Sequence, residues 1–372
     1  MTDDQEIGTA DQPLTGELLP APRTDAAPAA VPGRLYSPVV GRDGTLSLPE
    51  DPDAWVSEAT AEAINKGVAE SSKTTYRWAL DEFAAFAAAS GRRAMPATGE
   101  TLAEYVMTLC ARSLAPKSIQ LQIAAIRSTH REAGFKAEPD TAKARRVLRA
   151  YAKKRAEAGE ANSRQAPPVT TNALRSMVAA AEEHYGAGHP AADRDRLALV
   201  LGLSMYGRRS ELAALNLGDV RESEDGLEVT IRKSKTDQDA VGELVAIPCG
   251  RYAATDAVRL LRAWKKHLPE DEPGAAPLLR AVDRHGRIGA RLSGAAVSGI
   301  VRRNAERAGL PDPGSYSGHS LRAGGATESY KGGSAPNAIA KHGRWAENSP
   351  VVLGYIRAAD KWKDNPVGNI DL

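Results

Sequence analysis

The amino-acid sequence predicts a mainly α-helical protein with a small β-sheet, built as two domains. Three observations predict this class. Apolar residues recur at helical spacing through residues 51–158. A stretch rich in Gly, Asn, Ser and Pro interrupts this pattern at 157–169. Beyond it helical patterns return, broken once by residues that alternate as in strands. We expect an all-α five-helix domain at 51–158, a linker at 159–169 and an α+β domain at 170–358.

The first 50 residues show no sustained apolar period and are rich in Pro, Ala, Gly, Asp and Thr. A segment that can bury so little apolar surface does not offset the entropy lost on ordering. We predict that residues 1–50 form a disordered, acidic arm.

The five helices of the N-terminal domain are predicted from apolar stripes and the breakers between them. The first stripe runs from Trp55 to Ile64, and the fourth helix begins at Pro116, a residue suited to a first helical turn. The other boundaries follow from Gly and Ser breakers. The four later helices are predicted near 72–91, 98–113, 116–134 and 141–158.

In the C-terminal domain, alternating residues predict two strands within an otherwise helical pattern. Leu227, Val229 and Ile231 alternate, and so do Leu244 and Ala246. The polar stretch between them predicts a turn that projects residues 233–236. Helices are predicted near 171–184, 191–205, 209–216, 252–266, 293–308, 318–330, 335–342 and 348–357.

Composition excludes several classes of protein. The chain has 372 residues, 42% of them hydrophobic, and two cysteines, Cys110 and Cys249, without a CxxC or His/Cys cluster. Neither a zinc site nor a disulfide framework is indicated, and a reducing cytoplasm is the simple interpretation. No apolar run reaches the ~20 residues of a membrane span, and the N-terminus lacks the layout of a secretory signal. We expect no membrane partner.

The formal net charge of +2 conceals an asymmetry along the chain. Residues 1–70 carry 4 basic and 13 acidic side chains, a balance of −9, so the remaining residues carry +11. An acidic leader before a basic body indicates a polyanionic partner, although a modest excess also occurs on solvated helices.

Three segments contain residues that suggest chemistry, and each also has an ordinary structural explanation. SMYGRRSELAAL could be a solvated helix start, and HSLR in YSGHSLRAGGAT could be a surface pair. In GRWAENSPVVLGYIR, Trp345 and Tyr355 could be core aromatics. Their order along the chain is more specific than any one segment: Arg-x-x-Glu, Lys on a strand turn, His-x-x-Arg, Trp, then Tyr.

This order resembles the tyrosine recombinase (phage integrase) family, over roughly residues 55–360. The resemblance implies a C-shaped DNA clamp and cleavage of DNA by transesterification. Two guanidiniums can clamp the phosphate oxygens as negative charge grows in the transition state. The resemblance assigns this role to Arg208 and Arg322, and it makes the Tyr355 phenol the nucleophile of a covalent phosphotyrosine.

The resemblance also implies the remaining roles in the site. Lys235 would protonate the leaving 5′ oxygen, with Lys233 as the nearest competitor for that role. His319 would assist proton transfer from the tyrosine, and the indole of Trp345 would donate to a phosphate oxygen. Glu211 would orient the site from behind the arginine. Tyr355 lies ten positions after Trp345, one more than is usual, which predicts an inserted residue around 347–350.

For DNA binding, phosphate contacts require positive surface on both domains. Matching to the family indicates groove contacts from Arg77, Trp78, Lys117, Gln120 and Leu121 in the first domain. Positive charge adds Lys73 there, and Lys233, Arg280, Arg284, His285 and Arg291 in the second domain. Solvated surface is the alternative for each of these residues. Residues 280–291 are expected to form a basic loop.

The implied partners are double-stranded DNA with a short inverted-repeat site and three further copies of the chain, in a homotetramer on two DNA sites. The tail at 359–372 could dock on a neighbouring protomer. No metal or other cofactor is expected. The protein would be cytoplasmic, encoded by a bacterium, a phage or a plasmid, and associated with the nucleoid when it acts. A type IB topoisomerase or telomere resolvase with the same chemistry, or a noncatalytic DNA-binding regulator, are the alternatives.

Overall fold

The computed structural model describes residues 34–35, 39–40, 46–47, 56–57, 60, 63, 70–133, 138–160, 166–232, 242–346 and 349–360. The chain divides into two compact units, Met1–Ser163 and Arg164–Leu372. The division falls inside the linker that the sequence predicts at 159–169. None of the helices in the described part of the chain combines the length and the apolar character needed to cross a membrane.

Four short strands precede the helices of the first unit. β1 (Arg34–Leu35) pairs with β4 (Val56–Ser57), and β2 (Val39–Val40) pairs with β3 (Leu46–Ser47), both antiparallel. For β1, β2 and β3 the prediction of a disordered arm is wrong, and for β4 the prediction of a first helix beginning at Trp55 is wrong. The hydrogen bonds of a strand ladder join backbone groups whatever the side chains are. Thr60 and Ala63 are helical. The rest of the arm and of the first predicted helix lies outside the described residues.

The helices of the first unit agree with the sequence pattern. They are α1 (Glu70–Ala89), α2 (Gly99–Ala111), α3 (Pro116–Glu132) and α4 (Ala142–Glu157). Thr98 caps α2 by accepting a hydrogen bond from the Thr101 backbone. Apolar side chains from all four helices meet in one core, which includes Phe83, Leu102, Tyr105, Leu109, Ile119, Ile126 and Leu148.

The second unit surrounds a small antiparallel sheet with helices. The sheet has the order β5-β6-β7, with β5 at Val220–Glu222, β6 at Gly226–Ile231 and β7 at Glu243–Pro248. The hairpin β8 (Arg280–Val282) and β9 (Ile288–Arg291) is separate from it. The helices are α5 (Thr171–Tyr185), α6 (Pro190–Ser204), α7 (Arg209–Ala214), α8 (Ala257–Lys265), α9 (Gly294–Arg307), α10 (Gly318–Lys331), α11 (Pro336–His342) and α12 (Pro350–Asp360).

The strand prediction is correct for β6 and wrong in phase for β7. Leu227, Val229 and Ile231 are buried as expected, but on β7 it is Val245 and Ile247 that are buried. Leu244 is 63% exposed. A shift of one residue exchanges the two faces of a strand, and register here is set by pairing Val229 with Val245.

Two further strand features were not predicted. β5 adds a third strand, and the expected basic loop at 280–291 contains the hairpin β8–β9. The turn predicted at 233–236 lies outside the described residues.

Glycines bring α10 into close contact with its neighbours. A Cβ at Gly324 would lie 2.1 Å from the Val169 carbonyl oxygen, and one at Gly325 would lie 2.3 Å from the Tyr206 ring. Both distances are too short for real atoms, so only glycine fits at either position. The backbone of α10 therefore approaches the segment that follows α6 closely enough for one side chain to bridge them.

Candidate active site

A tyrosine and a histidine meet between α12 and α10. The Tyr355 Oη lies 2.9 Å from His319 Nε2, and the two rings are 6.2 Å apart. Tyr355 is 5% exposed and packs with Val352 and Ala323 in a small apolar cluster. The packing fixes the ring, while the hydroxyl faces a group that can take its proton.

Arg322 lies three residues after His319, on the same face of α10. It is buried at 3% exposure and donates to two backbone carbonyls, those of Tyr206 and, at 2.6 Å, Gly343. Its guanidinium carbon lies 3.9 Å from the centre of the Trp345 ring. Two of the guanidinium's five N–H donors thus bind backbone carbonyls, and the other donors remain for a ligand.

Trp345 lies beside both groups. Its ring centre is 6.0 Å from that of Tyr355. It also covers the backbone of Gly343, where a Cβ would lie 1.8 Å from the indole carbon Cζ3. Gly343 therefore has two functions: its carbonyl accepts from Arg322, and its missing side chain leaves space for the indole.

Arg208 is held at the beginning of α7 by Glu211. The Arg208 backbone N–H donates to Glu211 Oε2 at 2.9 Å, and its guanidinium donates to Oε1 at 2.5 Å. The Arg208 side chain keeps 23% exposure, whereas that of Glu211 is 2% exposed. The carboxylate thus orients the arginine while the guanidinium still reaches the surface.

A third arginine, Arg344, joins the same carboxylate and was not predicted from the sequence. It donates to Glu211 Oε2 at 2.7 Å from a side chain that is 3% exposed. Its charge suggests a surface residue, and no spacing pattern marks it. Adjacency to Trp345 is the one signal that could have indicated it.

The environment changes the acidity of these groups. Burial raises the pKa of Tyr355, although the charge of Arg322 opposes the rise. Burial of the ring and the nearby Arg322 cation lower the pKa of His319 below its ordinary value. Burial, together with the charge of Arg208, lowers the pKa of Arg322 to about 10. At neutral pH the site thus holds a neutral phenol, a neutral imidazole and charged arginines.

Glu211 remains ionised in spite of its burial. Burial would raise its pKa, but the Arg208 backbone N–H and the charges of Arg344 and Arg208 lower it below the ordinary value. The network therefore stays charged at neutral pH, with one carboxylate between two guanidiniums.

The structure brings together six predicted residues: Arg208, Glu211, His319, Arg322, Trp345 and Tyr355. Lys233 and Lys235 lie outside the described residues. The proposed insertion around 347–350 includes 347–348, also outside them, and α12 begins at Pro350.

The DNA contacts predicted for the first unit lie on α1 and α3. Trp78 is 53% and Leu121 is 44% exposed. Arg77, Lys117 and Gln120 are exposed and Lys73 is half-buried. Both helices thus present side chains that a ligand could cover.

In the second unit the predicted contacts divide into two kinds. Arg284 and His285 are exposed at the turn of the β8–β9 hairpin. Arg280 instead pairs with Glu272, and Arg291 donates to the carbonyls of Ala213 and Leu215. These contacts engage part of each guanidinium, and the DNA contacts of Arg280 and Arg291 stay predictions.

Comparison with known proteins gives relatives at the level of the whole chain. No protein-family model matches it. An integrase/recombinase XerD homolog from Selenomonas ruminantium is 28% identical over 308 residues, covering 82% of this chain and 87% of the relative. The recombinase Cre of Escherichia phage P1 is 24% identical over 344 residues, covering 85% and 95%.

Solved structures show the same fold. A lambda integrase dimer bound to a COC′ core site matches with a TM-score of 0.53 and 16% identity, covering 80% of this chain and 92% of that one. The XerH site-specific recombinase bound to palindromic difH substrate matches with a TM-score of 0.54 and 15% identity, covering 80% and 78%.

Proposed function

We propose that this chain, a tyrosine recombinase by its sequence relatives and its fold, cuts and rejoins DNA at a specific site through a covalent 3′-phosphotyrosine. One observation carries the proposal: a buried tyrosine whose hydroxyl lies 2.9 Å from a histidine nitrogen, beside a buried arginine with donors to spare. The reaction class is transesterification at a phosphodiester.

In the first step the Tyr355 oxygen attacks the phosphorus, and the bond from phosphorus to the 5′ oxygen breaks. The phenol proton passes to His319 Nε2, which is neutral at pH 7 and accepts it. The 5′ oxygen leaves with a proton, for which Lys235 remains the proposed donor. The products are a 3′-phosphotyrosine and a free 5′ hydroxyl.

Arg208 and Arg322 would neutralise the charge that builds on the phosphate oxygens. Each guanidinium is preorganised by protein acceptors, Glu211 for one and two carbonyls for the other. Donors that are fixed before the reaction cost no reorganisation when charge develops. The Trp345 ring supports the Arg322 cation from one face.

The reverse step reseals the strand, because the covalent link conserves the phosphodiester energy. A free 5′ hydroxyl from the original or from another duplex attacks the phosphotyrosine. Exchange between two duplexes would pass through a Holliday junction and need four protomers, each cutting one strand. We propose a homotetramer on two short inverted-repeat sites, as in a Cre-like recombinase.

The test is incubation with labelled DNA that flanks the chain's own gene, followed by denaturing electrophoresis. Wild type is expected to form a covalent protein–DNA adduct in EDTA and without ATP, since the steps above use side chains alone. Tyr355→Phe is expected to abolish it. Tyr330→Phe is the matched control, because Tyr330 packs against the same apolar cluster as Tyr355 but donates to Asp360 rather than to His319.

Absence of the adduct with wild type, or its persistence in Tyr355→Phe, would disprove the mechanism. Plasmid relaxation without a specific site would indicate a topoisomerase, and hairpin ends would indicate a telomere resolvase. A DNA that carries two sites should give recombinant products. On the same gel, these products distinguish the proposed function from a topoisomerase and from a telomere resolvase.

A further inference from the structure

Arg344 occupies a backbone conformation that a residue with a side chain rarely adopts. Its φ is +57°, in the left-handed region, between Gly343 and Trp345. A non-glycine residue there is costly and persists where the surroundings determine it. Its guanidinium supplies those contacts by donating to the carbonyls of Met205 at 3.1 Å and His342 at 3.3 Å.

Arg344 and Arg322 bind the same two chain segments, one residue apart. Arg322 donates to the carbonyls of Tyr206 and Gly343, and Arg344 donates to those of Met205 and His342. The segment after α6 and the segment after α11 are thus joined twice. The second joint keeps in place the carbonyls that orient Arg322.

Arg344 also completes the contacts of Glu211. Oε1 accepts from the Arg208 guanidinium, whereas Oε2 accepts from the Arg208 backbone and from Arg344. A carboxylate that is 2% exposed needs such partners, because an unpaired buried charge is strongly unfavourable. Without Arg344, Oε2 would lose its one side-chain donor, and the carboxylate that orients Arg208 would be held less firmly.

We infer that Arg344 is a positioning residue for the reaction, acting through Glu211 on Arg208 and through the Gly343 carbonyl on Arg322. This inference rests on the proposed function. Arg344 does not itself meet DNA, because its side chain is 3% exposed and its terminal N–H groups donate to Glu211 and to two carbonyl oxygens, while its Nε lies 3.5 Å from Glu243 Oε2. Its substitution should therefore slow bond breakage without weakening binding.

The experiment measures single-turnover adduct formation and the Kd on the labelled fragment that flanks the gene. Arg344→Met is expected to lower the rate about 10- to 100-fold, as loss of supporting contacts around reactive groups typically does. The Kd should stay within about twofold. Arg344→Lys keeps the charge but not the forked guanidinium, so its rate should lie between those of wild type and Arg344→Met.

Arg194→Met is the matched control for loss of a buried arginine. Arg194 pairs with Asp195 at 5% exposure and donates to the Arg280 carbonyl, near the opposite end of α6 from the site. Thermal unfolding is expected to show lower stability for both methionine variants. The rate, measured below both unfolding transitions, should fall only for Arg344→Met.

A second readout separates positioning from a general structural effect. Because one of the two routes runs through Glu211, the loss of rate in Glu211→Gln/Arg344→Met should be smaller than the product of the two single-variant losses, while the route through the Gly343 carbonyl should leave the double variant slower than Glu211→Gln alone. Losses that multiply, or a wild-type rate in Arg344→Met, would overturn the inference. If Arg344→Met does not fold, a wild-type rate in Arg344→Lys overturns it. Failure of wild type to form the adduct would instead overturn the proposed function.

Discussion

The hydrogen bond between Tyr355 and His319 makes the reaction depend on the charge of one imidazole. His319 accepts the phenol proton only when neutral, and burial and Arg322 lower its pKa below the ordinary 6.5. The adduct-forming rate should therefore be level near pH 7 and fall with acidification, about tenfold per pH unit below that pKa. Single-turnover rates between about pH 5 and 8 test this expectation.

Two variants identify the titrating group. His319→Gln should be slower and should lose the acid decline, because glutamine does not titrate. His342→Gln should retain the decline, since His342 Nε2 donates to the Ser204 carbonyl oxygen at 2.7 Å and its ring lies against Tyr206 rather than Tyr355. A decline that survives in His319→Gln, or one centred above 6.5, would contradict the assignment.

At the residue scale, chemistry could be predicted where residue types form a sequence order. The Arg-x-x-Glu pattern indicated Arg208 and Glu211, and the structure joins them through two hydrogen bonds. Arg344 gave no such signal. Its importance comes from a left-handed backbone and partners 133 residues away, and neither of these is encoded in local spacing.

At the scale of elements, close packing of α10 determines where its side chains lie. We expect Gly325→Ala to destabilise the second unit by about 1–3 kcal/mol, the usual effect of overpacking. The added methyl would meet the Tyr206 ring at 2.3 Å and the Leu203 carbonyl oxygen at 2.4 Å. Urea unfolding measures the change.

Gly354→Ala is the control within another helix, α12. Nothing lies within 4 Å of a Cβ there, so alanine should be neutral or stabilise by up to about 1 kcal/mol through helix propensity. Equal unfolding midpoints for the two variants would show that the contact around Gly325 relaxes at no cost.

Elements could be predicted where their own sequence determines them. The helices follow apolar stripes, and their boundaries agree with caps such as Thr98 and Thr170. The phase of β7 could not be read, because Leu244 and Ala246 also alternate and only pairing with β6 selects Val245 and Ile247. The strands β8 and β9 have only three and four residues, too few for alternation to give a strand signal.

At the scale of the whole molecule, the uneven charge predicts how the N-terminal arm affects binding. Residues 1–50 hold 3 basic and 8 acidic side chains, so their deletion removes a charge of −5. Deletion should leave adduct formation intact and tighten binding to a random-sequence duplex at about 50 mM salt. The difference should shrink as salt screens the arm.

Fluorescence anisotropy across a salt series measures this change. A full-length variant with the eight carboxylates changed to amides should reproduce the tighter binding, which separates charge from chain length. Loss of adduct formation on deletion would show that the arm takes part in the reaction.

The contact between Gly343 and the Trp345 ring links two positions in evolution. Any side chain at 343 would meet the indole at 1.8 Å, displace it from the Arg322 guanidinium and shift the carbonyl to which that arginine donates. Mutations at 343 are therefore tolerated only after a smaller ring has appeared at 345. The two positions should covary among descendants of this sequence, although neither constrains the other through charge.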